Sequence, residues 1–178
     1  MLETLISSKT RIKLLQKFFL NSSIQSYLRG LESEFGESTN AIRLELNKFE
    51  KAGMIRSENV GNKKIFKANE DHPLFYDLQN IVRKYMGIDH IVENIARKLG
   101  DLNAVYLIGD YANGIDRGVI DLIFVSGKLN NTYLIQLIEK AERLLKRKIR
   151  YMKFKSEFEA ESFLNNEQSL LIWSQKEK

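Results

Sequence analysis

Residues 9–67 place three helix-period segments in a row, then a strand, a glycine-containing loop and a second strand. Few folds accept that order. Ile12, Leu14, Leu15, Phe18 and Phe19 recur at helical spacing, which predicts an amphipathic helix over Lys9–Leu20, broken by Asn21-Ser22-Ser23. Tyr27, Leu28, Leu31 and Phe35 predict a second, shorter helix that Gly36 ends. Ser38 is a favourable N-cap for a third helix, with Ile42, Leu46 and Phe49 on one face and Gly53 just past its end. Residues 54–57 and 64–67 then read as two strands around a loop at 59–63. Pro73 suits the first turn of a fourth helix carrying Leu74, Phe75, Leu78, Ile81, Val82 and Tyr85.

Beyond Gly87 the pattern changes. A helix through Ile91, Ile95 and Leu99 leads into strands at 104–109 and 120–125. A helix at 133–146, a strand at 149–154, a helix at 157–164 and a last strand at 170–173 follow. A length of 178 residues holds one ordinary domain or two small ones, and the change of pattern sets the expected division at 1–87 and 88–178. The expected fold class is α+β.

Composition removes several functions. With no cysteine there is no disulfide framework, thiolate metal site or cysteine nucleophile, and His72 and His90 alone supply imidazole. They are expected as surface or capping residues, with no metal and no cofactor. No apolar run approaches the length of a membrane span, and the first residues lack the order of a secretory signal, so a cytoplasmic protein is expected. Residues 1–87 carry 14 basic and 10 acidic side chains, or +4, while residues 88–178 carry 14 and 13, or +1. Excess positive charge in the half with the three-helix pattern favours a polyanion partner there.

The segment STNAIRLELNKFEKAGMI, residues 38–55, resembles the recognition helix of ArsR-like and related winged-helix transcription regulators. Ser38, Ile42, Leu46, Phe49, Gly53 and Ile55 carry the likeness, which extends over roughly residues 8–86. It implies a winged helix-turn-helix that binds double-stranded DNA as a homodimer, with YDLQNIVRKY where such proteins carry a dimer-packing helix. The residues agree with it. Thr39, Asn40, Arg43 and Asn47 lie off the apolar face of the third helix, and Arg and Asn can pair bidentately with guanine and adenine edges. Lys63 and Lys64 at the hairpin tip, with Arg56 and Lys67 on its strands, are placed to neutralise phosphates.

The segment YLIGDYANGIDRGVIDLIFV, residues 106–125, resembles the core of the minimal nucleotidyltransferase fold, a small α/β domain with a mixed sheet. Gly109, Ala112, Gly114, Asp121 and Leu122 keep the pattern. The family's turn cradles nucleotide phosphates and its paired aspartates hold Mg²⁺. Here Asp110 stands where the family has serine, Val119 where it has the first aspartate, and the strand 148–154 has no carboxylate. Gly109, Asp110, Asp116 and Asp121 therefore form a degenerate nucleotide-binding motif, without catalytic residues, in a domain expected to be inactive. Asp116-Arg117-Gly118 is expected as a turn and Asp110 as a cap.

The sequence thus predicts a DNA-binding transcriptional regulator whose second domain serves dimerisation, ligand sensing or partner contact, with a small-molecule or protein effector. Two alternatives stay open. One is an active Mg-dependent nucleotidyltransferase that uses Asp121 with Asp110 or Asp116. The other is an antitoxin-like interaction protein. Arg143, Lys146, Arg147, Lys148, Arg150, Lys153 and Lys155 form the densest basic stretch, expected mainly as a solvated helix end.

Overall fold

The computed structural model describes residues 2–166 and 168–175. The fold is α+β, and the chain divides into two compact units, Met1–Met86 and Gly87–Lys178.

The first unit contains α1 (Leu2–Leu5), α2 (Lys9–Leu20), β1 (Gln25–Tyr27), α3 (Leu28–Phe35), α4 (Thr39–Lys51), β2 (Ile55–Val60), β3 (Lys63–Ala68) and α5 (Phe75–Tyr85). Its antiparallel sheet has the order β1-β3-β2. Helix, strand, two helices and a hairpin on a three-stranded sheet is the winged helix-turn-helix arrangement. Local chemistry sets the helix starts. Ser8 accepts from Arg11 N at the head of α2, and Ser38 accepts from Ala41 N at the head of α4, both at 3.2 Å. Gly36, at φ 64°, ends α3 by bonding back to Glu32 O. Leu14, Phe18 and Phe19 of α2, Leu31 of α3, and Ile42, Leu46 and Phe49 of α4 close the core with Ile55 and Phe66 from the hairpin.

Three expectations need correction in this unit. β1 was not expected, because Gln-Ser-Tyr carries no strand signal of its own; it forms by pairing Gln25, Ser26 and Tyr27 with Lys67, Phe66 and Ile65. The hairpin loop is two residues, not five. Asn59 pairs with Lys64 and Val60 with Lys63, and Gly61 at φ 59° allows the tight turn. Helix α5 starts two residues after Pro73, which sits in a turn closed by Phe75 N to His72 O at 2.8 Å.

The second unit contains α6 (Ile88–Asn94), a 3₁₀ turn (Ala96–Lys98), β4 (Ala104–Ile108), α7 (Gly109–Ala112), β5 (Val119–Val125), α8 (Asn131–Leu145), β6 (Lys148–Phe154), α9 (Glu157–Asn166) and β7 (Leu170–Ser174). The helix expected through Leu99 stops at Asn94, and Leu99 is already extended. The sheet is mixed, in the order β6-β5-β4-β7, with β5 and β6 parallel and the other pairs antiparallel. β5 is buried along most of its length, which fits its nearly continuous apolar run. Parallel β5 and β6 need a crossover, and α8 supplies it, burying Leu134, Leu137, Ile138, Ala141 and Leu145. Ala104, Ile108, Ile123, Val125 and Ala160 make a cluster on the α9 side of the sheet.

Candidate functional site

Helix α4 presents two faces of opposite character. Ile42, Leu46 and Phe49 are buried, while Asn40, Arg43 and Asn47 are exposed and Thr39 is half-buried at the first helical position. Among the described residues, Asn40, Arg43 and Asn47 have no side-chain hydrogen bond or ion pair within the chain. Leu44 lies beside Arg43 with 52% of its surface exposed. It was missed as a candidate, although its position off the Ile42–Leu46–Phe49 stripe was readable.

Other charges around this helix are engaged. Glu45 is buried on the inner side of α4 and accepts from Arg11 of α2, with Nε at 2.8 Å and Nη2 at 3.3 Å, and from Lys48 Nζ at 3.0 Å. Burial raises the Glu45 pKa, but the Arg11 and Lys48 bonds outweigh it and hold the carboxyl below its ordinary range. Lys13 donates to Phe35 O at 2.9 Å and to Glu37 at 2.7 Å, and Thr10 also donates to Glu37, which pins the turn before α4 to α2. Lys17 is buried against Glu34 at 2.8 Å. Thus Arg11, Lys13 and Lys17 of α2 position α3 and α4, and Arg43 keeps its guanidinium in water.

The wing is less free than its sequence implies. Lys64 Nζ donates to Glu50 at 2.7 Å, and Arg56 pairs with Asp71 at 2.8 Å on an exposed surface. Lys63 Nζ sits over the Tyr27 ring at 4.3 Å. Lys67 faces Arg56 across the hairpin ladder. Arg29, Lys63 and Lys64 gather with Tyr27, Leu28 and Asn62 around a cleft of about 500 Å³ between the head of α3 and the wing tip. Arg29 was not singled out from sequence, since its place beside the wing depends on β1.

In the second unit, Gly109 follows β4 directly at φ +67°. A Cβ there would lie 3.3 Å from Asp121 Oδ2, so close approach as well as backbone favours glycine. Asp121 sits opposite Ile108 in one ladder and opposite Arg150 in the next. Arg150 grips both its oxygens, Nε to Oδ1 at 2.6 Å and Nη2 to Oδ2 at 2.8 Å. Asp116 accepts from Arg147 Nε at 2.8 Å and from Gly118 N at 3.0 Å, which makes the Asp116-Arg117-Gly118 turn. Burial raises the Asp116 pKa, but the Arg147 and Gly118 bonds leave it lowered. Asp110 pairs with Arg117 at 3.3 Å from within the first turn of α7, so it is not the expected cap.

These residues do not fit Mg²⁺. The ion asks for several oxygen ligands in near-octahedral order, and each of the three aspartates is instead held by an arginine. Val119 offers no oxygen, and β6 places Arg150 rather than a carboxylate opposite Asp121. Among the described residues no group of three His, Cys, Asp or Glu side chains is placed to hold a metal. His72 closes the turn before α5, its Nδ1 accepting from Leu74 N at 3.2 Å, and His90 is exposed. Trp173 is half-buried on β7. No described helix is long and apolar enough to cross a membrane.

No protein-family model matches the chain, and no curated protein matches it. Several solved structures are similar over about half of it. Reduced HlyU from Vibrio cholerae is 12% identical over 47% of this chain and 83% of its own, with a TM-score of 0.37. The transcriptional regulator BldR from Sulfolobus solfataricus is 14% identical over 53% and 68%, with a TM-score of 0.37. A tri-AMPylated Shewanella oneidensis HEPN toxin in complex with MNT antitoxin is 15% identical over 53% and 75%, with a TM-score of 0.40.

Proposed function

We propose that the first unit reads double-stranded DNA and that the chain is a transcriptional regulator acting in the cytoplasm. One observation carries this: α4 turns Asn40, Arg43 and Asn47 to solvent without internal partners, while Arg11, Lys13 and Lys17 of α2 are spent on holding the neighbouring elements. Arg43 takes a guanine edge, and Asn40 or Asn47 an adenine edge. Thr39, at the head of the helix, donates to a backbone phosphate, and Leu44 offers apolar surface to a thymine methyl group. Lys63 and Lys67 neutralise phosphates beside the groove, and Arg56 and Lys64 join them by leaving Asp71 and Glu50.

The regulator works as a homodimer in this proposal. Leu74, Tyr76 and Ile81, on and just before α5, are 53%, 69% and 46% exposed, and they supply the apolar surface for a contact between copies. Two copies would then read half-sites about one DNA turn, roughly 34 Å, apart. The second unit serves this assembly, senses an effector or contacts a partner, and it does not transfer nucleotides, since its aspartates face arginines rather than a metal site.

Affinity selection of fragmented genomic DNA from the source organism, at roughly physiological salt to suppress phosphate-only binding, tests the proposal. One enriched palindromic site is the expected result. Uniform, sequence-blind recovery would sink DNA reading and leave the unit as a protein-interaction module.

A further inference from the structure

The connection between α8 and β6 is two residues long, and it concentrates charge. Arg143, Lys146, Arg147 and Lys148 line an open pocket of about 320 Å³, together with Gly118 and a single carboxylate, Glu142. The four cations are not equally committed. Arg147 is fixed, bonded to Asp116 and Leu145 O with its guanidinium 5.9 Å from the Tyr111 ring centre. Glu142 accepts Ile149 N at 2.8 Å through one oxygen and lies 3.5 Å from Lys148 Nζ through the other. Lys148 is nevertheless 79% exposed. Arg143 and Lys146 are exposed and make no ion pair among the described residues.

Lys146 is also the one described non-glycine residue in the left-handed region, at φ 52°. Glycine adopts that backbone without strain and is the common choice at a helix end. The helix dipole accounts for cations near the end of α8, but not for a lysine at this strained position. Sparsely populated backbone conformations of this kind cluster at active sites, ligand clamps and switch regions.

We propose that this pocket binds an oligophosphate, a chain of two or three phosphate groups, either inorganic or carried on a nucleotide. Several cations around one pocket suit a ligand with several adjacent anionic groups, and a lone carboxylate ligand would leave Arg143 or Lys146 unmatched. Gly109, Asp110 and Asp121 do not line the pocket, and the degenerate motif meets it through Asp116, which is bonded to Arg147 and to Gly118 N. The pocket is independent of DNA reading by α4.

Calorimetric titration of the full chain with inorganic tripolyphosphate and, separately, with a nucleoside triphosphate tests the site. Wild type should bind tripolyphosphate, and Lys146→Gly and Arg143→Ala should each weaken it at least tenfold. Lys146→Gly should melt no lower than wild type, since glycine relieves the backbone, so its loss of affinity cannot be a folding defect. Arg43→Ala should bind as wild type, which separates this pocket from the basic surface of the first unit. Equal affinity for both ligands would mark the phosphate chain as the recognised group, and tighter nucleotide binding would add a base contact. Absence of binding, or wild-type affinity in both pocket variants, would overturn the proposal. So would a pocket-dependent affinity for duplex DNA without one for tripolyphosphate.

Discussion

The outer face of α4 and the loop between β4 and β5 carry similar chemistry and use it in opposite ways. Both offer short polar side chains and arginines close to a tight local structure. On α4, Asn40, Arg43 and Asn47 have only water to bond, because Arg11 and Lys48 have already answered Glu45. Around that loop, Asp110 of α7, Asp116 of the turn and Asp121 of β5 each have an arginine of their own. A hydrated group exchanges water for a ligand at little cost, whereas a paired one must first give up a charge-assisted bond. What a motif can do depends less on its residue types than on whether the fold has already spent them.

The largest effect expected from breaking this contrast is at Arg43. Arg43→Ala should weaken binding to the selected site by about 1–3 kcal/mol and leave random duplex almost unaffected. Fluorescence anisotropy on both duplexes measures it. Equal loss on the two would show that Arg43 meets phosphate and reads no base.

The inner side of the same helix should respond in stability instead. Glu45→Ala leaves Arg11, itself 36% exposed, without its partner and unties α4 from α2. After allowance for that exposure the cost is about 1 kcal/mol, read from chemical denaturation. The ratio of specific to random DNA affinity should stay constant. Acid should act through the same group. Glu45 and Glu37 have lowered folded pKa values, so the folded state binds fewer protons than the unfolded one. Their contribution is complete above the ordinary glutamate value, about 4.3, and is lost as pH falls below it. A Glu45→Gln variant whose acid unfolding midpoint equalled that of wild type would exclude Glu45 from this loss.

Much of this was legible in sequence where the signal is local. The helix Lys9–Leu20 and the Ser38 cap follow from apolar spacing and capping chemistry alone. The same holds for the crossover α8 and the buried β5. What was not legible joins distant residues. β1 has three residues and exists only through β3. Glu50 claims Lys64 from 14 positions away, and Arg150 meets Asp121 only because the parallel register sets them opposite each other. For the candidate sites, the residues of α4 could be named from helical periodicity, but the commitment of each charge required the partners in space.

The wing sharpens the comparison on a smaller scale, since adjacent lysines are held there differently, Lys63 over the Tyr27 ring and Lys64 in an ion pair with Glu50. Lys63→Ala should lower the salt slope of DNA binding by about one unit, whereas Lys64→Ala should lower it by less, because Lys64 first leaves Glu50. Glu50→Gln should release Lys64 and make the two lysines equivalent. Equal slopes for Lys63→Ala and Lys64→Ala in the presence of Glu50 would mean that the pair opens freely on DNA. The wing would then behave as a hydrated surface like the outer face of α4.

The smallest effect is expected in the loop, and its smallness is informative. Arg150→Ala removes the clamp on Asp121 at a highly exposed position, 72% open for the arginine, so the melting temperature should not change measurably. Freed Asp121 remains a lone carboxylate beside Gly109, since Val119 offers no oxygen and Asp110 is paired with Arg117. Titration of Arg150→Ala with Mg²⁺ and a nucleoside triphosphate should therefore give no Mg-dependent binding that wild type lacks. Binding that appeared only in the variant and vanished in Arg150→Ala/Asp121→Asn would show that the arginine alone silences the site. The contrast between α4 and the loop would then rest on one reversible ion pair, not on a shortage of oxygen ligands.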